Sequence, residues 1–200
     1  MNTLVMGTTN PAKIAQIRDA LALIGISVTG VVDKNTLPHV EEDGATVQEN
    51  ARKKATTYAK ALGVRVLSMD NALFLDGLSP DRQPGVHVRR IGGHDAATDA
   101  ELLDHGVVLI ESLGGRATGH WEFGVCVAYP DGTFYETTII TPRIFTSTPS
   151  GKVIVGYPLE SIQIDPRTNK YISEMTNDEK AEFWQRMVGE PLCEFVRNLE

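Results

Sequence analysis

The stretch from Thr46 to Gly63, "TVQENARKKATTYAKALG", limits the possible folds more than any other part of the chain. Thr46 and Glu49 have the spacing of a capping box and Gly63 follows the last apolar position, so both ends of a helix are encoded locally. At about 100° per residue, Val47, Ala51, Ala55, Tyr58 and Leu62 fall on one stripe. A helix with one apolar stripe must cover another layer, and short β-forming runs flank it: "ISVTGVV" before and "VRVLSM" after. Residues 3–6 read as a further strand. The helix that follows has Asn10 as cap, Pro11 in its first turn, Ile14, Ile17, Leu21 and Ile24 at helical spacing, and Gly25 as stop. Strands alternating with helices in this way predict a parallel α/β layer.

Beyond residue 80 the pattern changes. Thr98 and Glu101 can open a helix running to about Leu113. "GHWEFGVCVAYPDGTFYETTII" gives two β-rich runs around the turn Pro130-Asp131-Gly132, and "GKVIVGYPLESIQI" suggests one more strand or two short ones. Thr176 and Glu179 begin a last helix, interrupted near Pro191 and resumed to Leu199. The expected fold class is α/β: a mixed, twisted central sheet flanked by helices in one domain. An α/β lobe of about residues 1–113 plus the C-terminal helix at about 176–199 accompanies a β-rich lobe of about 117–165, with an active-site cleft between them.

The net charge of −7 disfavours a nucleic-acid polymer as partner, because such binding draws on a basic face that neutralises many phosphates. Cys126 and Cys193 have neither zinc-site nor redox-pair spacing, which points to a reduced, cytoplasmic setting. The start "MNTLVMGTTN" does not read as a signal peptide, and no apolar run approaches the ~18 residues of a membrane span.

Several charges sit in awkward positions. Lys13 lies in the first turn of its helix, where the macrodipole is positive, behind a Gly-Thr-Thr-Asn turn that can present N–H groups and hydroxyls to a phosphate. A solvated lysine beside an ordinary helix is the alternative. On the second helix Lys53 points far from the apolar stripe, whereas Lys54 lies only about 20° outside Val47 and shares the buried edge with Asn50. It must snorkel or meet an anion. Glu41, Glu42 and Asp43 precede that helix, and in "VLSMDNALFLDGL" Asp70 stands where a buried strand is expected to end, either as an Asx turn or as a ligand. Two lysines and two carboxylates together suit a metal-bound polyphosphate with a water to activate.

With these residues in view the chain resembles the inosine triphosphate pyrophosphatase family, over almost its whole length and in the same order. "TTNPAK" at 8–13 resembles the family's phosphate loop T-x-N-x-x-K, and "EEDGATVQENARKKA" at 41–55 its acidic loop and E-N-A-x-x-K-A helix. "MDNAL" stands in the place of D-D-S-G-L and "PGVHVRR" in that of P-G-x-x-S-A-R. "GY" at 156–157 stands for G-Y-D-P, and "EMTNDEKAEFWQR" for E-x-T-x-x-E-K-x-x-x-S-H-R. The resemblance implies an ITPase-like fold, a homodimer, and hydrolysis of a nucleoside triphosphate to the monophosphate and pyrophosphate. By position it implies that Lys13 and Lys54 bind and polarise phosphates, that Glu42 and Asp70 hold Mg²⁺, and that Asp70 activates water. It extends substrate contacts to Thr8, Thr9, Asn10, Asn71, Arg90, Gly156, Tyr157, Lys180, Gln185 and Arg186.

The departures are concentrated: some fall beside Asp70 in the metal motif, and more at positions that the resemblance assigns to the purine base. Met69 replaces the first acid of the D-D pair, Asn71-Ala72 replace Ser-Gly, and Val88 replaces Ser. Pro158-Leu159 replace Asp-Pro, Trp184-Gln185 replace Ser-His, and "TSTPSGKVIV" lacks the glycine-rich approach to Gly-Tyr. Retained phosphate chemistry with altered base-reading groups implies a base preference shifted from inosine or xanthosine triphosphate. Two alternatives stay open: a catalytically silent nucleotide-binding paralogue, and a hydrolase of a different phosphorylated metabolite.

Overall fold

The helix encoded between Thr46 and Gly63 sets the architecture. The computed structural model describes residues 3–8, 11–31, 37–91 and 97–199. Its order is β1 (Thr3–Met6), α1 (Pro11–Ala22), β2 (Ser27–Gly30), α2 (Val47–Leu62), β3 (Val66–Leu75), α3 (Asp99–Ser112), β4 (Arg116–Ala128), β5 (Phe134–Thr146), β6 (Gln163–Ile164), α4 (Asn177–Trp184) and α5 (Glu190–Arg197). The strands form one mixed six-stranded sheet in the order β2-β1-β3-β4-β5-β6, flanked by helices as expected. β1 pairs in parallel with both β2 and β3, the arrangement predicted for the first third, and β5 pairs antiparallel with β6.

The end signals of the helices act as the sequence foretold. Thr46 Oγ1 accepts from the Glu49 N–H, and Gly63 closes α2 in the left-handed region at φ 66°. Thr98 and Glu101 form a full capping box at α3, and Thr176 and Glu179 exchange the same pair of bonds at α4. The cap position Asn10 lies outside the described residues.

Two expectations need correction, and the break expected near Pro191 is found and takes a definite form. The third strand does not stop at Met69: β3 continues to Leu75, so Asp70 sits within the strand and not at an exit from the sheet. Ala72, Leu73 and Leu75 are all buried and hold the chain in register past the charge. The run "GKVIVGYPLESIQI" yields only the two-residue β6. A turn with Gly156 at φ 82° and a short 3₁₀ helix, Pro158–Ile162, precede it, because Pro158 has no N–H to give a ladder. The break in the last helix falls before Pro191, as a π-helical turn over Gln185–Gly189 in which the Glu190 N–H reaches the Gln185 carbonyl. Widening the turn there accommodates the missing N–H of Pro191 without ending the helix.

The chain divides into two compact units. The first comprises residues 1–71, 123–139 and 184–200. In it Leu4, Met6, Ile17, Leu21, Leu67, Met69, Val125, Val127, Leu192 and Val196 form one apolar cluster, while Ala51, Ala55 and Ala59 of α2 pack with Val66, Cys126 and Ala128 in another. The alternation along β3 and β4 thus buries both strand faces. The second unit comprises residues 72–122 and 140–183 and has its own core of Leu73, Leu75, Leu102, Leu109, Ile110, Phe145, Leu159 and Ile162. No helix among the described residues is long and apolar enough to cross a membrane.

Small residues let α2 lie close to the sheet. A Cβ added to Gly124 of β4 would stand 2.4 Å from the Val47 carbonyl carbon at the start of α2. Gly124→Ala therefore forces α2 away from β4, and we expect a loss of about 1–3 kcal/mol in urea unfolding. An unchanged midpoint would refute the close approach.

Candidate active site

Asp70 is the buried end of a chain of contacts that starts on α2. Asn50 and Lys54 are one helical turn apart and so face the same way from α2. Asn50 Nδ2 donates to Asp70 Oδ2 at 3.0 Å, and Lys54 Nζ lies 3.4 Å from Asp70 Oδ1. Lys54 also reaches Glu42 at 3.2 Å, so one ammonium joins both carboxylates singled out from the sequence. Of the two readings open for Lys54, an anionic partner is the one observed. Lys54 and Asp70 are both buried, while Glu42 is half exposed. Two ions removed from water need each other and further hydrogen bonds to offset the desolvation cost, which Asn50 supplies on the Asp70 side.

Asn50 has a second task. Its Oδ1 accepts the Gly44 N–H at 2.8 Å, which ties the loop carrying Glu42 to the helix carrying Lys54. Sequence reasoning put Asn50 on the buried edge of α2 and gave it no role. The available signal was an amide on an otherwise apolar edge, where a buried polar group must find partners.

Lys13 enters from the first turn of α1, and its Nζ donates to Asn71 Oδ1 at 3.3 Å. Burial first, and then the neighbouring Lys54, lower its pKa from the ordinary lysine value, with Asp70 and Glu42 opposing. Its hydrogen-bond partner Asn71 directly follows Asp70 in β3. Burial, the largest influence, raises the Tyr58 phenol on the next turn of α2, and Lys54 and Glu42 act on it as well. Lys13, Lys54, Glu42, Asp70 and Asn71 are therefore brought together within the first unit. Lys53, read as lying away from the stripe, is exposed and pairs with Asp43. Met69, in the place of the family's first acid, belongs to the apolar cluster with Leu4 and Val125, while its neighbour Asp70 turns toward α2.

The other expected contacts are distributed. Thr8 is half-buried, and Thr9 and Asn10 lie outside the described residues. Gln185 and Arg186 belong to the π-helical turn of the first unit. The Gln185 amide lies so close to Gly189 that a Cβ there would meet its Oε1 at 2.2 Å. Arg186 is half-buried with Nη1 3.4 Å from the Met187 sulfur, and Trp184 packs on the apolar cluster of that unit. In the second unit Arg90 is exposed, with Nη1 3.3 Å from His87 Nε2. With His87, Val88 and Leu102 it lines a cavity of about 290 Å³, and Val88, where the family motif has Ser, also packs against the apolar core of that unit. Lys180 pairs with Glu160 at 2.6 Å. Gly156 is held at both its N–H and its carbonyl, and Tyr157 is exposed.

Among the described residues no three His, Cys, Asp or Glu side chains gather into a metal cage. Mg²⁺ needs no such cage: one or two carboxylates, completed by substrate oxygens and water, are its usual protein ligands. Asp70 and Glu42, both on the Lys54 ammonium, fit that donor set.

The mixed α/β sheet flanked by helices is a fold that solved structures share. A HAM1 protein from Coxiella burnetii matches with a TM-score of 0.79 at 24% identity over 99% of this chain and 100% of that one. Residues 4–188 match the model of the Ham1 family, and the chain belongs to that family, which bears out the resemblance to the inosine triphosphate pyrophosphatases. A relative from an Exiguobacterium species named dITP/XTP pyrophosphatase is 31% identical over 180 residues, covering 89% of this chain and 88% of its own. One from Synechocystis with the same name is 34% identical over 184 residues, covering 90% and 87%. The expected enzyme class, nucleoside triphosphate pyrophosphatase, is that of these relatives.

Two outcomes follow from this geometry. Asn50→Ala leaves the Gly44 N–H and one Asp70 oxygen without their partner, and we expect a loss of about 1–3 kcal/mol in chemical unfolding. The Asp99 carboxyl is held below the usual carboxylate range, first by the Gly156 N–H and then by Arg89. A carboxyl depressed in the folded state adds stability above its unfolded pKa of about 3.9, and that stability is lost as pH falls through the lower folded value. The melting temperature should therefore fall more steeply below about pH 4 in the wild type than in Asp99→Asn.

Proposed function

We propose that this chain is a Mg²⁺-dependent nucleoside triphosphate pyrophosphohydrolase that releases the monophosphate and pyrophosphate, with a base preference shifted from that of its dITP/XTP pyrophosphatase relatives. The observation that carries the reading is the convergence of Lys13, Lys54, Glu42 and Asp70 around one buried ammonium–carboxylate contact. Such a group has little value for stability alone, since a well-packed apolar pair does as well. It has value for a ligand that brings several negative charges and a cation with it.

Asp70 and Glu42 would hold the metal. When bound, Mg²⁺ supplies a Lewis-acidic centre that lowers the pKa of a coordinated water. Asp70, oriented through Oδ2 by Asn50, takes the proton of the attacking water. The water oxygen bonds to the α-phosphorus as the bond to the α–β bridging oxygen breaks, and pyrophosphate leaves with that oxygen. Lys13 and Lys54 meet the negative charge on the phosphoryl oxygens, and positioning with electrostatics dominates this type of transfer. Thr8, Thr9 and Asn10 complete the phosphate loop.

The base preference belongs to Tyr157, Gln185, Arg186, Arg90 and Lys180. Gln185 offers a donor and an acceptor, and Arg186 a donor, where a Ser-His-Arg set would differ. Trp184 has a packing role. The reading includes a homodimer acting on free nucleotides in the cytoplasm.

Pyrophosphate release from a panel of standard, deaminated and otherwise modified nucleotides tests the reading. We expect turnover of at least one, its abolition by EDTA, and a fall in kcat of about 10²–10⁴ for Asp70→Asn. Nucleotide binding by calorimetry without release from any member would select a silent paralogue. A product mass other than a nucleoside monophosphate would select a different phosphorylated substrate.

A further inference from the structure

An exposed turn in the second unit is held more firmly than exposure alone explains. The Tyr157 N–H donates to the Ile154 carbonyl at 2.9 Å, which closes a tight turn with Gly156 in the left-handed region. The turn presents two large apolar side chains to solvent: Val155 is 91% exposed and Tyr157 41%. Gly156 is held at both of its backbone polar groups, which belong to two successive peptides. The Gly156 N–H donates to Asp99 Oδ2 at 2.5 Å, and the Gly156 carbonyl accepts from Arg89 Nη2 at 3.0 Å. Arg89 and Asp99 are themselves paired at 2.9 Å, so the three groups form a closed ring of charge-assisted bonds.

The ring is anchored on regular structure. Asp99 is the first residue of α3, where the helix dipole favours a carboxylate. Arg89 is fixed at a second point, since its Nη1 donates to the Ala97 carbonyl and its own carbonyl accepts the Ala97 N–H. The side chain therefore has little freedom left when it meets Gly156. Arg89 also stands where the family motif P-G-x-x-S-A-R has Ala, and the turn it grips carries Pro158 where G-Y-D-P has Asp. Arg89 bonds the Gly156 carbonyl, two residues before Pro158.

We propose that the Arg89–Asp99 pair is a positioning clamp for substrate selection, which fixes the Ile154–Tyr157 turn so that Tyr157 meets the nucleoside end of the substrate in one orientation. The inference rests on the reading of the chain as a nucleoside triphosphate pyrophosphohydrolase whose Tyr157 contacts the nucleoside. Fixing the turn in advance removes the ordering cost that a free loop would bring to binding, and it makes the wrong base meet a surface that does not adapt. Arg89 acts through the turn and has no part in the chemical step.

The test compares wild type with Arg89→Ala, Arg89→Lys and Tyr157→Ala on the nucleotide panel, reading kcat and KM for each substrate with urea midpoints alongside. For Arg89→Ala we expect a KM about tenfold higher for the best nucleotide with little change in kcat, and a similar narrowing of the discrimination between best and second-best bases. Arg89→Lys should restore part of the discrimination, because an ammonium still pairs with Asp99 but cannot also span to both carbonyls. In the Tyr157→Ala background Arg89→Ala should have no further effect on discrimination, since the clamp acts through that ring. A uniform loss of kcat across the panel with the discrimination ratios intact would mean a merely structural pair and would overturn the clamp alone. Additive effects of Arg89→Ala and Tyr157→Ala would also overturn it. A wild type silent on every nucleotide would remove the functional reading and the clamp with it.

Discussion

The contact of Lys54 with Asp70 is the point around which the first unit is arranged. An ammonium and a carboxylate taken out of water cost several kcal/mol each, and their attraction offsets that only when the geometry is close and the remaining valences are filled. Asn50 fills one Asp70 valence, and Glu42 offers Lys54 a second acceptor. Alanines along α2 and a glycine on β4 let the helix that carries Lys54 lie close to the sheet. A larger residue at Gly124 would move α2, and with it both Asn50 and Lys54.

Within this cluster of charged groups an uncharged amide does the connecting. Asn50 holds the acidic loop through the Gly44 N–H and the strand carboxylate through its other end. Glu42 and Asp70 are 28 positions apart in the chain and come to one ammonium because α2 carries both an amide and a lysine on the same side. The second unit has a comparable arrangement: a half-buried ion pair, Arg89 with Asp99, bonds the carbonyl and the N–H of Gly156 in a distant turn.

The departures from the family pattern have physical settings. Met69 fills an apolar cluster on the side of β3 away from Lys54, so its replacement of an acid leaves the Asp70 contacts in place. Val88 packs against the apolar core of the second unit, and Trp184 on that of the first. Pro158 follows a turn whose Gly156 carbonyl accepts from Arg89, itself a departure.

Much of this was legible from the chain alone, for a definite reason. Caps, stops and stripe positions act within a few residues, so α2, α3 and α4 began where Thr46, Thr98 and Thr176 said they would, and the two-face argument separated Lys54 from Lys53. The shape of β3 was not legible in the same way. A charge within an apolar run reads as a strand end until a partner is known, and the partners of Asp70 lie on another element. The π-helical turn before Pro191 and the turn before Pro158 were equally hidden, because how a chain absorbs a missing N–H depends on what packs around it. The sequence by itself determined the kinds of elements, their ends and which charges needed partners, since those follow from local hydrogen bonding and periodicity. Only the tertiary structure decided which partners they found, because Asn50 with Asp70 and Arg89 with Gly156 are contacts between segments that nothing short of the folded chain brings together.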